Sequence, residues 1–171
     1  MNRKTRTLTL SGLLTASCIV LLYFASVWPT GQVGFAALSS LFVTAAVIEA
    51  GVFSGVCVYI LGSFIGILLL PEKSAPILFA VFFGYYPIIK SLSEKITNII
   101  MAWVCKLAVF NAALTTLWFI LRRLFFHFGD FTQGIPILYL AGNAVFILFD
   151  YGYSKVIWLY INRVSKYIGK G

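Results

Sequence analysis

The feature that most constrains this chain is the absence of any charged side chain between Thr7 and Ile48. A helix needs about 20 apolar residues to cross a bilayer, so this stretch has room for two crossings if the chain turns midway. Pro29 to Gly34, rich in proline and glycine, predicts that turn. Over its 171 residues the chain is 61% hydrophobic and 11% charged, where soluble domains carry about 25% charged residues. The sequence therefore predicts an integral membrane protein.

The remaining turn signals predict an all-α, polytopic protein whose six transmembrane helices form a single domain, residues 1–171. Gly51 predicts a tight turn after Glu49, Pro71 ends the third helix, and Gly84 with Pro87 predicts a short, kinked fourth helix. Lys90 to Asn98 is predicted to be a polar connection. The predicted helices span about residues 8–28, 35–49, 52–70, 76–89, 99–121 and 135–161.

The distribution of basic residues predicts the orientation. With six crossings both termini share one side, and nine basic residues fall on that side against three on the other, Lys73, Arg122 and Arg123. The nine are Arg3, Lys4, Arg6, Lys90, Lys95, Lys155, Arg163, Lys166 and Lys170. The positive-inside rule then predicts cytoplasmic termini in a multi-pass protein of the cell membrane. The net charge of +8 is interpreted as a topology signal, and no nucleic-acid partner is expected.

Ionisable residues inside the predicted helices mark candidate sites, because a charge at the bilayer centre costs about 2.5 to 3.5 kcal/mol on insertion scales. Lys106 on the fifth helix and Asp150 on the sixth fall at similar depth, which predicts an intramembrane ion pair. Glu49 reaches nearly the same depth and is the rival partner. This depth lies toward the cytoplasmic side, so a structural or gating role is favoured over ligand contact.

Polar residues form a stripe on the sixth helix. Tyr139, Asn143, Phe146 and Asp150 are spaced i, i+4, i+7 and i+11, which places them on one helix face. Asn111 adds a second amide on the fifth helix. Such residues either hold helices together by hydrogen bonds or contact a ligand. Both interpretations stay open, and Asn111, Tyr139, Asn143 and Gln32 are the candidate substrate-binding residues.

The sequence contains no pattern typical of an enzyme. It has no HExxH or GxSxG motif, and its single histidine, His127, lies beside phenylalanines in a predicted outer loop. Cys18, Cys57 and Cys105 are scattered through apolar stretches and lack the spacing of a zinc site. We therefore expect no catalytic residues, no metal site and no cofactor.

Two sets of small residues predict close helix contacts. Gly12 and Ala16 are four residues apart near the start of the first helix, and Gly51, Gly55, Gly62 and Gly66 recur along the third. Small residues at this spacing let helix backbones approach closely. For each set the partner is either another helix of this chain or a helix of another protein.

Six helices in about 170 residues, both termini inside, a Pro/Gly loop after the first helix and the small pair Gly12 and Ala16 together resemble the S-components of energy-coupling factor transporters. The family's pair is typically Ala-xxx-Ala, so Gly12 departs from it. The resemblance implies a subunit that captures a small molecule of the vitamin or metal-ion class. A membrane T-component and separate ATPase subunits would drive release of that ligand into the cell.

Carried over to this chain, the resemblance makes Pro29 to Gly34 the lid over the ligand. Gly12 and Ala16 would face the T-component, and the outer halves of helices four to six would line the pocket. The alternative function is a non-transporting scaffold, like the rod-shape protein family with its similar small six-helix build, or an accessory subunit of a larger complex.

Reporter fusions test the predicted topology. Fusions at Lys95 and at Gly171 are expected to report the cytoplasm, and a fusion between Phe125 and Gly134 the outside. A cytoplasmic signal from the last fusion would contradict the six-helix topology.

Overall fold

In the computed structural model, which describes residues 3–124 and 135–165, every regular element is helical. Six helical segments are long and apolar enough to cross a membrane. The predicted all-α class and the number of membrane-crossing segments are therefore confirmed, and the chain is a multi-pass membrane protein. The predicted outer loop with His127 lies outside the described residues.

Seven α-helices build these six segments, because the fourth is interrupted. They are α1 (Arg3–Val27), α2 (Gln32–Ala50), α3 (Val52–Leu69), α4 (Ser74–Leu78), α5 (Tyr86–Ser93), α6 (Ile99–Leu124) and α7 (Ile135–Tyr160). A 3₁₀ turn, Pro29–Gly31, precedes α2, and π-helical turns follow α4 (Phe79–Phe83) and α7 (Ile161–Ser165). The chain divides into two compact units, Met1–Thr97 and Asn98–Gly171.

In the N-terminal unit α1, α2 and α3 pack against one another, and α4 and α5 pack on α2. Its apolar core contains side chains of α1, α2, α3 and α5 together with two residues outside the α-helices, Leu70 and Phe79. The helical members are Cys18, Leu22, Ala36, Val43, Ala46, Val58 and Ile88. The glycines of α3 lie in this core. A Cβ at Gly62 would stand 3.3 Å from Cys18 Sγ, and one at Gly66 would stand 3.2 Å from Pro76 Cβ. The third helix therefore uses its small residues for close packing within the chain.

Two backbone features explain how this unit turns. Gly51 has φ +91°, which other residues rarely adopt, and its N–H donates to the Val47 carbonyl to end α2. This confirms the tight turn predicted there. In the fourth segment the Gly84 N–H donates to the Phe79 carbonyl at 2.6 Å, and a bend at Gly84 and Tyr85 precedes α5, which has Pro87 in its first turn. The predicted kink is present, because Pro87 has no backbone N–H to donate to a carbonyl of the preceding turn.

The structure corrects two expected boundaries. The polar connection expected from Lys90 is helical as far as Ser93, because Pro87 starts a new helical segment that continues for two turns. Lys90 is only 3% exposed, and its ammonium lies 3.3 Å from the carboxylate of Glu94 one turn on. The expected loop Pro29 to Gly34 is likewise shorter. Gln32 already begins α2, so only Trp28 and a three-residue 3₁₀ turn separate α1 from α2.

Gly84 offers a test of this packing. A Cβ there would stand 2.6 Å from Tyr59 Cδ2 and 2.9 Å from the Phe79 ring. Gly84→Ala is therefore expected to lower the free energy of unfolding by about 1–3 kcal/mol, as overpacking does. The matched control is Gly152→Ala, a helical glycine whose Cβ would meet nothing within 4 Å. Thermal unfolding in detergent measures both, and an unchanged Gly84→Ala would contradict the described packing.

Candidate functional site

A continuous set of polar contacts joins α6 and α7 in the C-terminal unit. Three pairs face each other along the two helices: Thr115 with Tyr139, Asn111 with Asn143, and Lys106 with Asp150. We call these six residues the polar seam. The contributing residues of α7 are four and seven positions apart and share one helix face, as do Asn111 and Thr115 on α6. Lys106 precedes Asn111 by five positions, about 140° around a helix of 3.6 residues per turn, and its long side chain reaches Asp150. An aromatic pair, Phe110 and Phe146, stacks between the second and third polar pairs with centroids 4.4 Å apart.

The two asparagines form a closed reciprocal pair. Asn111 Nδ2 donates to Asn143 Oδ1 at 2.9 Å, and Asn143 Nδ2 donates back to Asn111 Oδ1 at 3.0 Å. Each amide nitrogen also donates to the carbonyl one turn earlier on its own helix, Leu107 O and Tyr139 O. An amide nitrogen has two N–H groups, so all four donors of the pair are occupied. A ligand that needed one of these donors would have to displace a protein acceptor.

Tyr139 and Thr115 form a second polar contact, in which both hydroxyls have hydrogen-bond partners. The hydroxyls of Tyr139 and Thr115 lie 2.6 Å apart, and Thr115 Oγ1 donates to the Asn111 carbonyl at 2.7 Å. This assignment leaves the Tyr139 hydroxyl as the donor to Thr115. Thr115 was missed at the level of sequence, although its spacing of four residues from Asn111 places it on the same face.

The ionic pair lies at the other end of the seam. Lys106 Nζ is 3.3 Å from Asp150 Oδ1 and 3.5 Å from Oδ2, and the two residues are only 7% and 4% exposed. The ammonium also lies 5.3 Å from the centroid of the Trp103 ring, within the range of a cation–π contact. The low exposure means that each charge depends on the other for compensation.

The structure places Glu49 differently from Asp150. Glu49 is near the end of α2 in the N-terminal unit, and among the described residues its buried Oε1 accepts no hydrogen bond. Asp150 supplies a carboxylate 3.3 Å from Lys106 Nζ, and Glu49 as the rival partner stays a prediction. Within the same described ranges, no group of three or more His, Cys, Asp or Glu could hold a metal ion.

Gln32, the remaining substrate-binding candidate, belongs to a polar cluster between the end of α1 and the start of α4. Its Oε1 accepts a hydrogen bond from Ser74 Oγ at 2.8 Å, and Ser26 Oγ donates to the Glu72 carbonyl at 3.1 Å. Glu72 accepts a hydrogen bond from the backbone N–H of Ser74, which lowers the pKa of its carboxyl below the ordinary value. These bonds fasten the turn after α1 to the segment before α4.

Comparisons of the chain with protein-family models, curated proteins and solved structures give no match. Any function proposed for the chain therefore depends on the contacts described within each unit.

A double-mutant cycle measures the coupling between Lys106 and Asp150. Removing either partner is expected to cost about 3–5 kcal/mol, because it leaves a buried charge without its counterion. The double variant Lys106→Ala with Asp150→Ala should cost less than the two single effects summed, by about 0.5–3 kcal/mol. Thermal unfolding gives the four values. Glu49→Ala combined with Lys106→Ala tests Glu49 as the rival partner, and additivity of the Asp150 cycle would show that the pair contributes nothing.

Proposed function

We propose that this protein is the membrane-embedded substrate-binding subunit of a small-molecule uptake transporter in the cell membrane. In this proposal it has the role of an S-component, with cytoplasmic termini and a ligand of the vitamin or metal-ion class. Separate ATPase subunits and a T-component would supply the energy and the release step. The exposed small-residue pair on α1 is the observation that carries the proposal.

Gly12 and Ala16 are both exposed, and a Cβ at Gly12 would meet nothing within 4 Å. The packed face of α1 is a different one, formed by Thr15, Cys18 and Leu22. The small pair therefore does not serve packing within the described chain, unlike Gly62 and Gly66 on α3. An exposed small pair in a membrane helix suits close approach of a helix from another protein.

A second candidate, a scaffold or accessory subunit that binds no ligand, is favoured by the closed asparagine pair. All four amide donors of Asn111 and Asn143 are occupied within the α6–α7 hairpin. Because these donors are occupied, Asn111 and Asn143 hold α6 and α7 together in the structure. A scaffold could also use the Gly12 and Ala16 face, so the identity of the partner separates the two functions.

Co-purification with the tagged full chain tests both candidates. The transporter predicts that a second polytopic membrane protein and subunits with ATP-binding motifs are retained in mild detergent, together with a small molecule detected by mass spectrometry. Gly12→Leu should abolish partner retention without changing the bound small molecule or the thermal midpoint.

The matched control is Gly152→Leu, which adds the same bulk at another exposed helical glycine with open space around it. It should leave the partners bound. Retention of the partners by Gly12→Leu, or misfolding of that variant, would contradict the coupling role of α1. Partners from cell-wall assembly and no bound small molecule would establish the scaffold instead.

A further inference from the structure

The last turns of α7 present an exposed aromatic and basic face. Tyr151, Lys155 and Trp158 are spaced i, i+4 and i+7, so they lie on one side of the helix. Tyr151 is 67% and Trp158 62% exposed, and Lys155 is exposed as well. We call these three residues the α7 interfacial face. Phe146 and Asp150, which contact α6, point more than a quarter-turn away from this face.

The lysine of this face is held beside an aromatic ring. Lys155 Nζ lies 5.6 Å from the centroid of the Tyr151 ring, a cation–π distance. The ring restricts the long lysine side chain and keeps its ammonium at the helix surface. The indole N–H of Trp158, one turn farther along, is a hydrogen-bond donor at the same surface.

The depth of the face matches the headgroup region of a bilayer. The membrane-crossing segment Pro136–Arg163 has 28 residues. At about 1.5 Å per residue it is about 42 Å long, which exceeds a hydrocarbon core of about 30 Å. Lys155 follows the buried Asp150 by five residues, or about 8 Å along the axis. The α7 interfacial face therefore lies where the helix leaves the hydrocarbon.

The sequence that follows Tyr151 carries charge of one sign. From Tyr151 to the end of the chain the sequence contains Lys155, Arg163, Lys166 and Lys170 and no aspartate or glutamate. Above the face, the exposed side of α7 continues as an apolar surface with Leu148, 74% exposed, and Leu140, 77% exposed. A molecule that fits this face would place an anionic group at Lys155 and a hydrocarbon chain along the apolar surface.

We propose that the α7 interfacial face binds an anionic phospholipid. Its phosphate contacts the Lys155 ammonium and the Trp158 indole N–H, while Tyr151 positions the lysine. One acyl chain lies along Leu148 and Leu140. The predicted cytoplasmic orientation of this end agrees with the proposal, because juxtamembrane basic residues are attracted to anionic lipids of that leaflet. The proposal concerns α7 alone and does not depend on transport.

Native mass spectrometry of the full chain, delipidated and then mixed with one lipid at a time, tests the site. The probes are phosphatidylglycerol and phosphatidylcholine with identical acyl chains. Phosphatidylglycerol is expected to bind more tightly, and Lys155→Gln should weaken its binding about fivefold, the effect of one basic residue near an anionic surface. Phosphatidylcholine, whose choline cation offsets the charge of its phosphate, should lose less affinity in this variant.

Lys95→Gln is the matched control, since Lys95 is another exposed lysine on the same predicted side. It should bind phosphatidylglycerol as the unmodified protein does. Tyr151→Leu should weaken binding and Tyr151→Phe should restore it, because phenylalanine keeps the ring that holds Lys155. Equal losses in Lys155→Gln and Lys95→Gln, equal affinity for the two lipids, or a lipid-independent dimer that Trp158→Ala dissociates would overturn the proposal.

Discussion

Hydrocarbon offers no hydrogen-bond partner, so a polar side chain inside a membrane helix must find its partner within the protein. The α6–α7 hairpin meets this constraint side chain by side chain. The charges of Lys106 and Asp150 compensate each other. The amides of Asn111 and Asn143 exchange two hydrogen bonds, and Thr115 Oγ1 accepts a hydrogen bond from the Tyr139 hydroxyl. Several hydroxyls elsewhere satisfy the rule locally, as in Ser39, whose Oγ donates to the Phe35 carbonyl one turn earlier. Ser63 Oγ and Glu49 Oε1 are exceptions among the described residues, since both are buried without a hydrogen-bond partner. The polar seam thus fixes the register of α6 against α7, because sliding either helix by one turn would break every pair at once.

Small residues have two different roles in the N-terminal unit. On α3 they are buried, and side chains of α1 and the fourth segment occupy the space that a larger residue would need, as Cys18 does at Gly62. On α1 the pair Gly12 and Ala16 is exposed and has no such neighbour in the described chain. The same sequence spacing therefore cannot tell the two roles apart. Only the packing of the helix around it decides whether a small pair is used within the chain or is available to another protein.

Much of the helical framework could be predicted from the sequence, because it depends on local signals. Long apolar stretches predicted the six membrane-crossing segments, and Gly51 and Pro87 marked a turn and a kink that the backbone requires. The stripe from Tyr139 to Asp150 on one face of α7 also follows from helical spacing alone. The helical extension to Ser93 could not be predicted in this way, because Lys90 looks like a loop residue until Glu94 is placed one turn away from it. The contact between Thr115 and Tyr139 was equally hidden, since it depends on the register of two helices, whereas the matching depths of Lys106 and Asp150 predicted their pairing.

The saturation of the seam has a consequence for any function located there. A ligand that bonded to Asn111 or Asn143 would gain contacts only by breaking those that join α6 to α7, so its binding would be coupled to separation of the two helices. Interhelical hydrogen bonds in membranes contribute about 0.6 kcal/mol on average, so opening the amide pair alone would cost little. The buried pair of Lys106 and Asp150 is more expensive to separate, because each charge would lose its counterion. The ion pair therefore holds α6 against α7 more strongly than the amide pair does.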